Sequence, residues 1–183
     1  MLKTFFTATA LMVLPAVAAT AGTIFLPVGP GQTYTTIAAA INAADGDNSA
    51  TNYYVITVAP GTYTNDTATV SRPMTIEAAQ PGSAVILNET VALPNQKGIL
   101  ISLAQLTIDG LTFQGAYIDG SLGANGAGIR AEGSQGYTLT VRNSQFISNQ
   151  TGILTDVNFP LDVVLTNNVF VNNGNGDTSS LTH

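Results

Sequence analysis

Three stretches of the chain repeat one pattern: LTIDGLTF at residues 106–113, LTVRNSQF at 139–146 and VVLTNNVF at 163–170. The first two begin with apolar and polar residues in alternation and the third with three apolar residues; each then passes through Gly or Asn and ends on a Phe. Glycine and asparagine tolerate left-handed backbone best, so this position predicts a tight bend between two short strands. Self-similarity of this kind is typical of solenoid folds.

A second marker repeats with a similar period. The pair Gly-Ile begins a predicted strand at Gly98, Gly128 and Gly152, and its last interval equals that between the last two Phe residues of the first pattern. In both series the first interval is longer, because it contains the polar loop at residues 119–126. A period of about 24 residues with short strands and no helix predicts one coil of a right-handed parallel β-helix, an all-β solenoid in which equivalent strands pair about 4.8 Å apart.

Two other folds fit less well. A leucine-rich repeat has a similar period but would show a Leu-x-x-Leu-x-Leu framework, and a β-sandwich would not require a fixed period. In the β-helix, like residues stack on like. We therefore expect a ladder of Phe113, Phe146 and Phe170 in the core. We also expect a cross-coil ion pair between Asp109 and Arg142, and a hydrogen bond between the Asn143 and Asn167 side chains.

The residues before the repeats predict a short helix and several early strands. Apolar residues at spacings of three and four predict a capping helix over 36–44, which would cover the open end of the solenoid. Its predicted N-cap is Thr35 or Thr36. The coils are expected over about 53–175, beginning with a strand at 53–58 and a turn at 59–63. Further strands are expected at 74–77, 84–87 and 98–101.

The first residues predict export. Lys3, an apolar run and a small-x-small site are typical of a signal peptide over 1–21, which leaves a β-helix domain over 22–183. The protein is thus expected to be secreted, periplasmic or at the cell surface, with no membrane span after cleavage. The remaining chain has four basic and eleven acidic residues, a net charge of −7. This charge and the absence of a basic cluster exclude nucleic acid as an expected partner. The chain has no Cys, which excludes thiol catalysis and Cys-bound zinc.

The segments YTTIAAAINAA from Tyr34 and YYVITVAPGTYTND from Tyr53 resemble the opening of secreted pectin-lyase-like β-helix proteins. This superfamily includes pectate lyases, pectinesterases, polygalacturonases and alginate-acting enzymes, and the resemblance covers roughly residues 32–175. It implies an extracellular polysaccharide as partner, and a lyase or glycoside hydrolase as activity. The opening is most similar to that of pectinesterases. Their Gln-Asp-Thr, Asp-Phe-Ile-Phe-Gly and Arg-Pro-Trp signatures have no counterpart here, and the chain has no Trp. The polygalacturonase signatures of paired Asp and Gly-His-Gly are absent too.

The printed sequence ends shortly after a predicted coil, with no cap visible. Members of this superfamily are usually longer. We therefore expect the chain to be an N-terminal fragment of such a protein.

One group of charged residues stands out as a candidate site. If the Ile of each Gly-Ile pair points inward, alternation sends the next residue and the one two further on outward. The resulting outward stacks are Leu100/Arg130/Leu154 and Ser102/Glu132/Asp156. In β-helix lyases, Arg or Lys often serves as base beside Ca²⁺ held by carboxylates. By that resemblance Arg130 is the candidate base or carboxylate binder, and Glu132 with Asp156 the candidate Ca²⁺ ligands. The alternative is an ordinary surface ion-pair cluster.

Other residues carry weaker signals. Arg72, Glu77, Glu89 and Lys97 lie near the early coils, where solubility and edge protection are sufficient roles. Three aromatic residues near loops, Tyr117, Tyr137 and Phe159, could stack on sugar rings or close the ends of the core. The single histidine, His183, has no expected role.

Two functions therefore remain open. The first is a secreted polysaccharide lyase or hydrolase acting on pectin-like or alginate-like glycans. The second is a non-catalytic glycan-binding or surface-adhesion scaffold. A protein at −7 repels an anionic polyuronate unless Ca²⁺ or a local Arg offsets its charge, so the charge favours either a Ca²⁺-dependent lyase or a neutral glycan.

Overall fold

The computed structural model describes residues 22–88, 92–119 and 125–174. The predicted signal peptide, Glu89, much of the polar loop and His183 lie outside the described residues. Within these ranges the chain forms one short helix and fifteen strands arranged in three sheets.

Sheet I has six strands, in the order β1 (Thr23–Val28), β2 (Tyr53–Val58), β5 (Met74–Ala78), β8 (Leu106–Asp109), β11 (Tyr137–Arg142) and β14 (Leu161–Thr166). Sheet II has five, in the order β3 (Gly61–Thr64), β6 (Ala84–Leu87), β9 (Leu111–Gln114), β12 (Gln145–Ile147) and β15 (Val169–Val171). Sheet III has four, in the order β4 (Ala68–Val70), β7 (Gly98–Ser102), β10 (Ala127–Ala131) and β13 (Thr151–Thr155).

All strand pairings within these three sheets are parallel, and the chain visits the sheets in rotation. For example, β8, β9 and β10 lie in sheets I, II and III, and each pairs with the strand of the next coil. This topology is that of a parallel β-helix, as the repeat predicted. The described residues form four complete coils, preceded by β1 and followed by β14 and β15.

The register confirms the alignment of the three repeats. Leu139 pairs with Leu106 on one side and Val163 on the other. The Phe113 and Phe146 rings stack 5.3 Å apart at 11°, and the Phe146 and Phe170 rings 4.9 Å apart at 9°. Phe113 and Phe146 are fully buried and belong to the core as predicted, whereas Phe170, on the last described strand, is 46% exposed.

The coils that begin with β8, β11 and β14 each bend twice at residues in the left-handed backbone conformation. At the predicted bend, Gly110, Asn143 and Asn167 have φ of 72°, 52° and 55°. A second bend follows the strand of sheet II, at Gly115, Ser148 and Asn172, with φ of 77°, 54° and 52°. The two bends isolate a short strand of sheet II between them.

The cross-coil side-chain contacts are also as predicted. Arg142 Nε lies 2.9 Å from Asp109 Oδ2. The Asn167 side-chain amide donates to the Asn143 side chain at 3.5 Å.

Two asparagines, the fully buried Asn149 and the part-buried Asn173, connect the coils at the second bend. Asn149 Oδ1 accepts a hydrogen bond from the Ala116 amide at 2.9 Å, and its Nδ2 donates to the Phe113 carbonyl at 3.1 Å. One coil later, Asn173 Oδ1 accepts from the Asn149 amide at 3.1 Å, and its Nδ2 donates to the Phe146 carbonyl at 2.9 Å. These side chains satisfy backbone groups that the turn leaves out of the strand ladder.

The helix α1 spans Ile37–Asp45, one residue later than predicted, and Thr36 is its N-cap. Its four buried residues, Ile37, Ala40, Ile41 and Ala44, are those of the predicted apolar face. The helix packs on β1, β2 and β4, the early strands of the solenoid. The Asp66 carboxylate accepts from the Ile37 amide at 2.6 Å and the Ala38 amide at 2.9 Å, which fixes the helix N-terminus to the first complete coil.

Three details differ from the sequence-based predictions. Strand β1 precedes the helix and pairs with β2, so the sheet begins at Thr23 rather than at residue 53. The predicted turn at 59–63 is partly strand, because Gly61 pairs with Ala84 in sheet II. The third difference concerns register in sheet III and is described with the site. Within the described ranges, no helix has the length and apolar character that crossing a membrane requires.

We predict that Gly128→Ala destabilises the protein although Gly128 does not have a positive φ. A Cβ there would lie 2.9 Å from Cδ1 of Phe146 and 2.8 Å from the Gly152 carbonyl oxygen. Overpacking a core in this way costs about 1–3 kcal/mol, measurable by urea denaturation. Gly22→Ala is the control, because its Cβ would approach nothing closer than 3.6 Å. Equal stability of the two variants would contradict the prediction.

We predict a larger loss for Asn149→Ala. The change leaves the buried Ala116 amide and Phe113 carbonyl without this side-chain partner, at about 1–3 kcal/mol for each group. Asn167→Gly is the matched control, because Gly keeps the left-handed backbone and loses only an exposed hydrogen bond of 3.5 Å. Thermal and urea unfolding of both variants would measure the difference. If Asn149→Ala lowers the free energy of unfolding no more than the control does, the stabilising role proposed for the Asn149 side chain is refuted.

Candidate functional site

The three candidate site residues come together in an ion-pair network at the end of sheet III. Arg130 Nε lies 2.6 Å from Glu132 Oε1, and Arg130 Nη2 lies 2.5 Å from Asp156 Oδ2. Arg130 is on β10, and the two acidic residues directly follow β10 and β13. The guanidinium therefore bridges two carboxylates from adjacent coils.

A fourth residue, Lys97, completes this network. Its Nζ lies 2.6 Å from Glu132 Oε2, so each oxygen of that carboxylate contacts a different cation. The side chains of Arg130 and Glu132 are 12% and 15% exposed, whereas those of Lys97 and Asp156 are 43% and 62% exposed. The network is electrically neutral, with a part-buried centre and exposed ends.

The sequence did not identify Lys97 as part of the site. The sequence predicts only solubility and edge protection for Lys97, whereas in the structure it has a specific partner 35 positions away. One available signal was its rarity, since only four basic residues follow the predicted leader. Another was its position directly before β7, the strand that pairs with the strand of Arg130.

The predicted stacks around Arg130 were wrong in the first coil. Arg130 pairs with Ile101, not Leu100, and Ser102 pairs with Ala131, not Glu132. Leu100 is instead fully buried beside Ile129. The reason is that residues paired between β7 and β10 are one position closer along the chain than the Gly-Ile pairs of these two strands are. In the next coil the motif gives the correct spacing, and Leu154 pairs with Arg130 as predicted.

A groove runs beside the network, along the corner between sheets III and I. We call it the corner groove. Its volume is about 410 Å³. Turns from three successive coils line it: Ser71 and Pro73, then Leu103 to Gln105, then Ser134 to Tyr137. The third of these turns begins at Glu132, so the groove and the network share one turn.

The aromatic residues predicted near the loops divide into two groups. Tyr137 lines the groove, and its hydroxyl lies 2.7 Å from the Ser102 carbonyl and 2.8 Å from the Glu132 carbonyl. Burial raises the pKa of Tyr137, which keeps this hydroxyl a donor. The Phe159 ring packs against the Tyr137 ring, with 5.9 Å between the ring centres. These two residues therefore hold the corner together, whereas Tyr117 is 43% exposed.

The remaining basic residue of the early coils, Arg72, serves the N-terminal cap. Its Nη2 donates to the Asp47 carbonyl at 2.7 Å, and its guanidinium lies 5.3 Å from the centre of the Tyr54 ring. The Tyr54 hydroxyl donates to the Asp47 carboxylate, and this bond is the main cause that lowers the pKa of Asp47 from 3.8 to about 2. Arg72 thus fastens the segment after the helix to the first coil.

The donor set at Glu132 and Asp156 does not fit Ca²⁺ as it is arranged. Calcium takes six to eight oxygen ligands, and three of the four carboxylate oxygens here contact Arg or Lys nitrogens. Among the described residues, no group of three or more His, Cys, Asp or Glu side chains is placed to hold a metal. Calcium binding by this pair remains a prediction, and it would require Arg130 to move away.

Comparison with known proteins finds a likeness in structure rather than in sequence. The sequence matches no protein-family model and no curated protein. A solved structure of pectin methylesterase from Aspergillus niger aligns with 17% sequence identity and a TM-score of 0.47, over 79% of this chain and 57% of that one. This chain thus spans a little over half the length of that protein. The fold assignment rests on the strand pairing described above, and no residue role is transferred.

We predict unequal effects of the two ends of the network on stability. Arg130→Met leaves the part-buried Glu132 with one cation instead of two and should cost about 1–3 kcal/mol, between the values for surface and buried pairs. Asp156→Asn should cost about 0.5 kcal/mol or less, because that side chain is 62% exposed. Urea denaturation at pH 7 measures both. Equal costs would mean that the network is an ordinary surface cluster.

Proposed function

We propose that the protein is a secreted β-helix that acts on an extracellular polysaccharide of the pectin or alginate type, which lies along the corner groove. The observation that supports this proposal most directly is the shared turn. Glu132 contacts Arg130 at one end of the turn, and Ser134 to Tyr137 line the groove at the other. An extended polymer suits a groove whose lining repeats once per coil, about every 4.8 Å.

Arg130 is the candidate catalytic residue. In a lyase reaction a base removes the proton next to the uronate carboxylate, and a cation stabilises the charge that develops. Arg130 could contact that carboxylate by exchanging Asp156, the exposed partner, for the substrate. In a hydrolase reaction two carboxylates flank the glycosidic bond, and Glu132 with Asp156 is the candidate pair.

A non-catalytic role is the second candidate, and one observation favours it. Each charged group of the network already contacts an internal partner of opposite charge at 2.5–2.6 Å. A catalytic acid or base needs access to the substrate, so a network closed on itself is equally suited to fixing the corner of a binding scaffold.

Turnover by variants of Arg130 tests the two candidates against each other. For the enzyme, wild-type protein should degrade at least one polymer of a panel containing polygalacturonate, alginate and neutral glycans. A lyase is identified by absorbance from the unsaturated product, and a hydrolase by new reducing ends. Arg130→Ala should lower turnover by at least about 100-fold, the range for loss of a charge-stabilising group, while polymer binding persists.

Arg142→Ala is the matched control. Arg142 is also an arginine in a cross-coil ion pair, but it lies at the end of sheet I and its side chain is 48% exposed. Its loss should leave turnover unchanged. Circular dichroism of both variants checks that the fold persists. Saturable binding without turnover by the wild type would favour the scaffold, and neither binding nor turnover on the whole panel would refute the proposal.

A further inference from the structure

Among the residues that the structure describes, the lining of the corner groove includes no charged side chain. Its polar members are hydroxyl and amide residues, of which Gln105, Ser134 and Gln135 are exposed. Its apolar members include Pro73 and Leu103, the latter 40% exposed. Amide and hydroxyl groups can exchange hydrogen bonds with sugar hydroxyls, and small apolar surfaces can pack against the C–H faces of sugar rings.

The basic residues of the protein are all engaged elsewhere. The four that follow the predicted leader, Arg72, Lys97, Arg130 and Arg142, all lie within the described ranges. Arg130 and Lys97 contact carboxylates at 2.5–2.6 Å, and Arg142 contacts one at 2.9 Å. Arg72 donates to the Asp47 carbonyl at 2.7 Å. A polyanion would therefore compete with an internal carboxylate at Lys97, Arg130 and Arg142, whereas Arg72 is held by the Asp47 carbonyl and the Tyr54 hydroxyl rather than by a carboxylate.

The net charge of the protein also disfavours binding of a polyanion. Residues 22–183 carry a net charge of −7, so the long-range field repels a polymer with one carboxylate per sugar. Binding of such a polymer would start from an unfavourable potential, and three of the four basic side chains of the described chain already contact a carboxylate.

We infer that the corner groove takes a neutral polysaccharide, or a polyuronate whose carboxylates are esterified, rather than a free polyuronate. This inference rests on the proposed function, because it names the substrate class of the same groove. Recognition then depends on hydrogen bonds to sugar hydroxyls and on contact with ring faces. Affinity should consequently change little with ionic strength.

A pair of polymers with one backbone tests the inference. Polygalacturonate and its fully methyl-esterified form differ by one methyl ester per sugar, which removes the charge of that sugar. We expect the esterified polymer to bind at least about tenfold more tightly at low salt, where the repulsion of a free polyuronate is largest. Its affinity should be unchanged between low and high salt. Isothermal titration calorimetry with the full chain measures both quantities.

The outcomes separate this inference from the proposed function. Equal or tighter binding of polygalacturonate, weakened by salt, would overturn the inference while the proposed function stands. Binding of neither polymer, nor of a neutral β-glucan, would overturn both. Tight binding of the esterified polymer but not of polygalacturonate would support both. Binding of the β-glucan alone would support the inference and overturn the pectin- or alginate-type substrate of the proposed function.

A variant designed to gain affinity tests whether the ligand lies in the groove. Gln135→Lys adds a cation to the groove lining and should raise affinity for polygalacturonate by about tenfold at low salt, an increase that salt removes. Gln114→Lys is the matched control, because it makes the same charge change on β9 in sheet II, away from the groove. A similar gain in both variants would show that net charge, rather than the groove, controls binding, and would overturn the assignment.

Discussion

The whole structure depends on parallel pairing of each coil with the next at a fixed register. At a spacing of about 4.8 Å every side chain lies directly over its equivalent in the neighbouring coil. Aromatic rings benefit from this arrangement, as the stacked Phe113, Phe146 and Phe170 show. Like charges would repel in it, and the chain accordingly has only 9% charged residues. Asp109 pairs with Arg142 of opposite charge on one side and with Glu77 of like charge on the other, so the cation of Arg142 lies beside a paired position where two acidic residues meet.

The regular part of the fold could be predicted because its signals are periodic. From residue 139 onward the coils follow one another at a constant interval, and the Phe ladder, the first left-handed bend and the ion pair at Arg142 followed from the alignment. Prediction failed at Ile99-Leu100-Ile101 for a physical reason. These three residues are all apolar and all buried, so they show no alternation of apolar and polar side chains. The sequence pattern therefore does not determine which of them faces the core. The register there depends on contacts that the motif does not contain.

The site was predicted only in part, because long side chains choose partners far away in sequence. Glu132 and Asp156 follow equivalent strands of adjacent coils, and Arg130 lies two residues before Glu132, so periodicity and strand alternation predicted that the three lie together. Lys97 reaches Glu132 from outside that pattern. The same holds for Asp66, whose carboxylate fixes the N-terminus of the helix from a distant part of the chain. Neither residue belongs to a repeat, and local sequence carries no signal for such contacts.

The small number of charged residues also limits how the surface of the protein can recognise a partner. A solenoid in which three of the four described basic side chains already contact a carboxylate has little electrostatic attraction to offer a polyanion. It does offer turns that recur once per coil, each presenting neutral hydrogen-bonding groups at the same corner. Such a surface matches a polymer through its repeat and its hydroxyl groups. The constraint that holds the coils in register therefore also favours an uncharged polymer as the ligand of the corner groove.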